Sequence, residues 1–176
     1  MLTAPQGLQA AAAAVAAAAD ALAKLGDAAG EAKAHSVHAQ ALARLGKVGA
    51  CEAALDRRDW DAAATFLAPT FVGQDHRLVG WGTLHGPAGF LVAVQALVEL
   101  ALDVRVRTQH LRASSRALLQ DKLWSGTRDG GAFENPFLGV IELDGDGRAI
   151  RTDVYDPHHL ERALARFEEL RPARAT

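Results

Sequence analysis

RALLQDKLWSGTRDGGAFENPFLGVIEL, Arg116–Leu143, places two runs of strand-forming residues on either side of Asp-Gly-Gly. Asp-Gly tolerates the positive backbone angles of a tight hairpin, so this stretch predicts two antiparallel strands. Working outward, DVRVRTQHLRA (Asp103–Ala113) precedes it across a Ser-Ser break, and AIRTDVYD (Ala149–Asp156) follows it across Asp-Gly-Asp-Gly. Both read as further strands. Upstream, GPAGFLVAVQALVELA (Gly86–Ala101) is a long apolar helix with Pro87 in its first turn, and TFVGQDHRLV (Thr70–Val79) alternates as a strand. ACEAALDRRDW and DWDAAATFLAP read as consecutive helices hinged near Asp59, the second ended by Pro69. The expectation is an α+β fold, a curved antiparallel sheet with helices on one face.

The first 46 residues have a different texture. Alanines from Leu8 to Leu25 leave a narrow stripe of Leu8, Val15, Leu22 and Leu25, and a second helix over Ala28–Leu45 ends at Gly46. The expected division is a helical hairpin over 1–46 and a main domain over 47–176 with a C-terminal helix, begun in YDPHHLERALARFEEL with Asp156 as cap and Pro157 in its first turn. MLTAPQGLQ lacks a cationic start, and Asp20 and Lys24 interrupt the apolar run, so the segment reads neither as a secretion signal nor as a membrane span. A formal charge of -2 with scattered Arg and Lys provides no field for nucleic acid. The single cysteine, Cys51, excludes an internal disulfide and suits a reducing, cytoplasmic setting.

Three phrases carry a family resemblance: ALDRRDWDAAATFLAPTFV, GPAGFLVAVQALV, and GVIELDGDGRAI followed by VYD. Over about residues 50–157 the chain resembles the nuclear transport factor 2-like superfamily, in its SnoaL-like, ketosteroid-isomerase-like form. That resemblance implies a cone of helices over a bent sheet, with helices on the concave face, and a superfamily that includes isomerases, cyclases, dehydratases, epoxide hydrolases and proteins without catalysis. ALDRRDWDAAATFLAPTFVGQD is similar, without a gap, to the opening of ketosteroid isomerases, and it implies that Asp75 is the proton-abstracting aspartate. The two oxyanion donors of that class have no counterpart, since their positions fall at Cys51 and near Gly139. The helices before Cys51 resemble tetratricopeptide helices.

Strand alternation sorts the candidate residues. Phe71, Gly73, Asp75 and Arg77 share one face and Val72, Gln74, His76 and Leu78 the other, so only one of Asp75 and His76 enters a pocket. The resemblance favours Asp75, and the apolar neighbours favour His76. A bland alternative makes both rim or turn residues, with Asp75 paired to Arg77 or to an arginine on a neighbouring strand. His110 alternates with Val104, Val106 and Thr108 and is expected on the buried face, as a second acid or base or as a satisfied core histidine. Trp124 is expected to wall a cavity or fill the core. Asn135 and Phe137 share an apolar row, which makes Asn135 a candidate for orienting a ligand, unless Pro136 marks an edge or bulge. GWGTLHG, with Trp81, is expected to form a lid. Tyr155 and RVRTQHL are expected at a two-fold homodimer contact. His158 and His159 are adjacent and, on a helix, would not share a face, so no metal site is expected there; His35 and His38 read as an exposed pair.

Together these features predict a protein that binds an apolar small molecule. Any reaction would be cofactor-free proton transfer, with Asp75 as base, His110 as second acid or base, and Trp124, Asn135, Trp81 and Phe137 around the substrate. The alternative is a non-catalytic ligand sensor or association module.

Overall fold

The computed structural model describes residues 46–170 of the chain. The chain forms two compact units, Met1–Ala50 and Cys51–Thr176. In the first, the described residues 46–50 are helical. The rest of the alanine-rich hairpin, with its tetratricopeptide likeness and the His35–His38 pair, lies outside the described residues.

The second unit begins with helix α1, the helical residues 51–56, and α2 (Trp60–Ala64). Strands β1 (Leu67–Asp75) and β2 (Thr83–His85) lead to α3 (Gly86–Leu100), and β3 (Arg105–Ala113), β4 (Ala117–Arg128), β5 (Gly131–Leu143) and β6 (Ala149–Tyr155) follow. A single turn of 3-10 helix, Pro157–His159, opens α4 (Leu160–Glu169). The break between α1 and α2 is held by side-chain bonds, two of them to the segment after α3. Arg58 adopts φ 60 and sends its guanidinium to the carbonyls of Leu55, Leu102 and Val104. The Asp59 carboxylate accepts from the Ala62 amide and caps α2. Helix α2 ends at Ala64, well short of Pro69. That proline instead sits inside β1, in the interval between Leu67 and Val72 where pairing with β6 is irregular and no ladder donor is required.

The β4–β5 hairpin fixes the sheet. Asp129 and Gly130 have φ 53 and 78, a two-residue turn with both angles positive, whose twist matches that of the strands. From that turn the pairs run without a slip from Arg128↔Gly131 to Ala117↔Glu142. The sheet has six strands in the order β2-β1-β6-β5-β4-β3. It is mixed, not wholly antiparallel as expected, because β1 lies parallel to β6.

Alternation then gives each strand an inner and an outer side. Inner residues Val106, Trp124 and Phe137 pack with Ala54 and Leu55 of α1 and with Val94 and Val98 of α3. Phe71 meets Phe90 of α3 edge to face, ring centres 5.7 Å apart. The outer residues Ala117, Leu119, Leu138, Val140 and Tyr155 form a second cluster with Ala163, Phe167 and Leu170 at the C-terminal end. Helices thus cover both faces, where one covered face was expected. The cause is the apolar spacing of α4, which has to be buried somewhere and finds outer β4–β6.

An ion-pair network reinforces that outer layer. The Asp153 side chain, 3% exposed, accepts from Arg151 Nε and Nη2 at 2.9 and 2.8 Å, from Arg166 Nε of α4 at 3.0 Å and from His76 Nε2 at 2.9 Å. Burial pushes its pKa up, but the donors from Arg151, His76 and Arg166 outweigh burial and hold it at about 2. Because this folded value lies below the unfolded one, the stabilisation is complete above pH ~4 and is lost as pH falls toward 2. Asp153→Asn is expected to cost roughly 2 kcal/mol or more at neutral pH and to flatten the stability loss between pH 4 and 2. Urea denaturation of both proteins across that range measures it.

Candidate functional site

The inner face of the sheet can be read row by row from the strand pairings. One row joins Asp75, Val154, Gly139, Gln120 and Leu111 across β1, β6, β5, β4 and β3. The next joins Phe137, Lys122 and Thr108, and a third joins Asn135, Trp124 and Val106. At about 4.8 Å per strand step, Asp75 and Gln120 stand roughly 14 Å apart. The wall between is apolar, with polar groups concentrated at its two sides.

The first polar side is built around Asp75, whose side chain is 3% exposed. Arg77 clasps it with two bonds, Nε to Oδ1 at 2.9 Å and Nη2 to Oδ2 at 2.7 Å, and the backbone amides of Arg77 and Trp81 add two more. Arg77 Nη1 donates to Asn135 Oδ1 at 3.2 Å, and the guanidinium lies over the Phe137 ring at 5.5 Å. Burial pushes the Asp75 pKa up, and the bonds from Arg77 and Trp81 more than reverse this, so the carboxyl lies below its ordinary value. The loop after β1 closes around the carboxylate so tightly that a Cβ on Gly80 would fall 2.4 Å from Asp75 Cγ.

The second polar side lies between α1 and the β3–β4 end of the sheet. Glu52 Oε1 accepts from the Thr108 hydroxyl at 2.6 Å and faces Lys122 Nζ at 3.7 Å. Beside them Gln120 is fully buried, and neither its Nε2 nor its Oε1 has a partner among the described residues. Burial pushes the neighbouring Cys51 thiol above its ordinary pKa.

Asp75, Trp124, Asn135 and Phe137 therefore share the inner face, while His76 points outward and stacks on Tyr155 with ring centres 4.7 Å apart. Asn135 itself is exposed, at the rim. His110 departs from its expected place. A bulge between Thr108 and His110 reverses the alternation, so His110 sits on the outer side, 61% exposed, with Nδ1 3.1 Å from Asp121 Oδ2. Trp81 reaches Asp75 through its backbone amide; its residue is 36% exposed. The segment expected as a lid is partly strand, because Thr83–His85 pairs with β1. Tyr155 is buried beside His76 and under Arg162 and so is no free contact surface. His158 and His159 do converge, on a 3-10 turn instead of an α-helix. Their donor atoms and an Asp156 oxygen lie within 4.8 Å of one another, close enough to hold a metal ion.

Sequence reasoning passed over Glu52, Lys122 and Gln120. The signal was present in the Asp-Gly turn, because fixing Arg128 against Gly131 places Gln120 opposite Gly139 and Trp124 opposite Asn135. The mixed polarity of β4 hid it.

Helices over the inner face of a bent mixed sheet, with a polar-ended apolar wall between, define the cone of a nuclear transport factor 2-like fold. Residues 48–152 match the SnoaL-like domain, and the chain belongs to that family. No curated protein matches it. Similar solved structures include a hypothetical protein with ketosteroid isomerase-like fold from Catenulispora acidiphila in complex with trimethylamine, 19% identical, covering 73% of this chain and 95% of that one with TM-score 0.54. TerC co-crystallised with polyporic acid is 16% identical over 70% of this chain and 98% of its own, TM-score 0.55. An LEH-like epoxide hydrolase of M. tuberculosis is 21% identical over 69% and 89%, TM-score 0.50.

The clasp on Asp75 predicts an effect at Gly80. Gly80→Ala is expected to cost about 1–3 kcal/mol, because the carboxylate it strikes is pinned by four bonds. In an Asp75→Ala background the same change is expected to cost far less, a coupling that a double-mutant denaturation cycle reads directly.

Proposed function

We propose that the cone binds a neutral small molecule with a mostly apolar body, and that this binding is the protein's activity. The observation that carries the reading is the inner face itself, where Trp124, Phe137, Val106 and Val154 form an apolar wall between the Asp75–Arg77 clasp and the Glu52–Lys122–Gln120 side. A wall of this composition with a few convergent polar groups is what small-molecule sites use. Solved neighbours crystallised with trimethylamine and with polyporic acid support small-molecule binding on this fold.

A second reading, cofactor-free proton transfer with Asp75 as base, is favoured by the inner placement of that carboxylate. A carboxylate held by Arg77 is a weak base, so turnover requires the ligand to draw Arg77 away and let burial raise the Asp75 pKa. His110, exposed on the outer side, takes no part. The epoxide hydrolase and isomerase-like folds among the neighbours are compatible with such chemistry.

2-Tetralone, an apolar bicyclic ketone with acidic α-hydrogens, tests both readings. It is expected to bind with 1:1 stoichiometry in calorimetry, and Phe137→Ala is expected to weaken it about 10-fold, or ~1.4 kcal/mol. Absence of binding, or unchanged affinity in Phe137→Ala, would sink the cone-site reading. In D2O, proton transfer would appear by NMR as accelerated exchange of the α-hydrogens. Asp75→Asn is expected to abolish that acceleration while leaving binding in place; equal exchange in both proteins would remove Asp75 as the base.

A further inference from the structure

We infer that Gln120 is the group that reads the polar end of the ligand, and that the ligand class is a neutral molecule presenting a hydrogen-bond donor and an acceptor on neighbouring atoms, such as a lactam or carboxamide. This rests on the reading of the cone as a ligand site and adds the chemistry of its recognition.

Gln120 is 0% exposed, and both ends of its amide lack a partner. An enclosed amide without partners destabilises a fold, and an apolar side chain of similar shape would serve packing better. The groups nearest along the inner face do not relieve it. Lys122 is turned to Glu52, and Glu52 already accepts from Thr108. Across the ladder stands Gly139, itself buried, yet a Cβ built on it would meet nothing within 4 Å. The residue facing the orphan amide is thus one whose missing side chain leaves a gap at least a methyl group in size. Leu111, on the other flank, offers no polar side-chain atom.

The chemistry of the amide selects the occupant. A primary carboxamide offers an N–H donor and a carbonyl acceptor side by side on one edge, with its second N–H on the other. An anion would satisfy Nε2 and leave Oε1 facing negative charge, and a cation would do the reverse. A cis-lactam edge satisfies both atoms at once through two parallel hydrogen bonds. Its apolar body then lies along the row toward Val154 and Asp75.

The test compares 2-quinolinone, which has such an edge, with 1-methyl-2-quinolinone, which lacks the donor, and with naphthalene, which lacks both groups. With the full chain, 2-quinolinone is expected to bind at least 10-fold more tightly than its N-methyl derivative by calorimetry or NMR titration. Gln120→Met is expected to erase that preference, to retain naphthalene binding and to raise the melting temperature of the empty protein by several degrees. Gly139→Val, which fills the gap, is expected to reduce 2-quinolinone binding at least 10-fold. Naphthalene binding without any preference for 2-quinolinone in the wild type would overturn the role of Gln120 and leave the cone reading standing. A lowered melting temperature in Gln120→Met would show that the amide is satisfied within the fold and would overturn the proposal. If none of the three compounds binds, the cone reading fails and this inference falls with it.

Discussion

The register of the β4–β5 hairpin is the constraint on which the rest of the domain depends. A slip of one residue at Asp129–Gly130 would exchange inner and outer faces on one strand relative to the other. Trp124 or Phe137 would then leave the space under α1 and α3, and Leu119 or Val140 would lose α4. The turn holds because Asp and Gly tolerate positive φ at the two positions that the strand twist requires. Both hydrophobic layers and the polar row through Gln120 and Asp75 inherit their placement from it. Since β6 pairs with β5, and β1 with β6, the phase propagates across the sheet to the Asp75 carboxylate.

Much of this was legible in the sequence. The four strands from Asp103 onward, the helix led by Pro87 and the presence of Asp75 on the face of Phe71 follow from periodicity and punctuation. The failures share a physical origin, which is that parity is a local rule. The bulge after Thr108 adds one residue on a single strand and carries His110 to the wrong side. β2 is too short to show alternation, and its flanking glycines read as loop. The parallel approach of β1 to β6 and the covering of the outer face by α4 are settled by what remains to be buried once the hairpins have formed, which no window of residues contains. At the site, Asp75 was visible as a candidate while its state was not. Arg77 two residues on is close enough in sequence to suspect, but the Trp81 amide and the fit of Gly80 arise from the loop's path.

Two buried carboxylates show how the same rule produces different outcomes on the two faces. Asp153 collects arginines from β6 and α4 and a histidine from beyond β1, so its charge ties three elements together. Asp75 takes its side-chain donors from one arginine only two residues away, and its remaining bonds come from the adjacent loop. The first arrangement is distributed, and no single displacement frees the acid. The second depends on one guanidinium, whose other contacts are the exposed Asn135 and the Phe137 ring.

The fold by itself does not choose among binding, isomerisation and hydrolysis, because all of these occur on the same cone. The choice has to come from which inner groups are already satisfied. Glu52, Thr108 and Lys122 satisfy one another, and Asp75 and Arg77 do the same, so neither set presents an unmet demand. Gln120 alone among these inner polar side chains keeps both of its bonds unmade. Differential binding energy is available where a partner is missing, since pairs already formed must first be broken before a ligand gains from them. The unpartnered amide thus lies at the β4–β5 side of the inner face, roughly 14 Å from the carboxylate that the isomerase resemblance singles out. On the proposed reading, a molecule anchored at Gln120 would reach Asp75 only if its body spanned the Gly139 and Val154 positions of that row, so ligand length would separate binding from proton transfer.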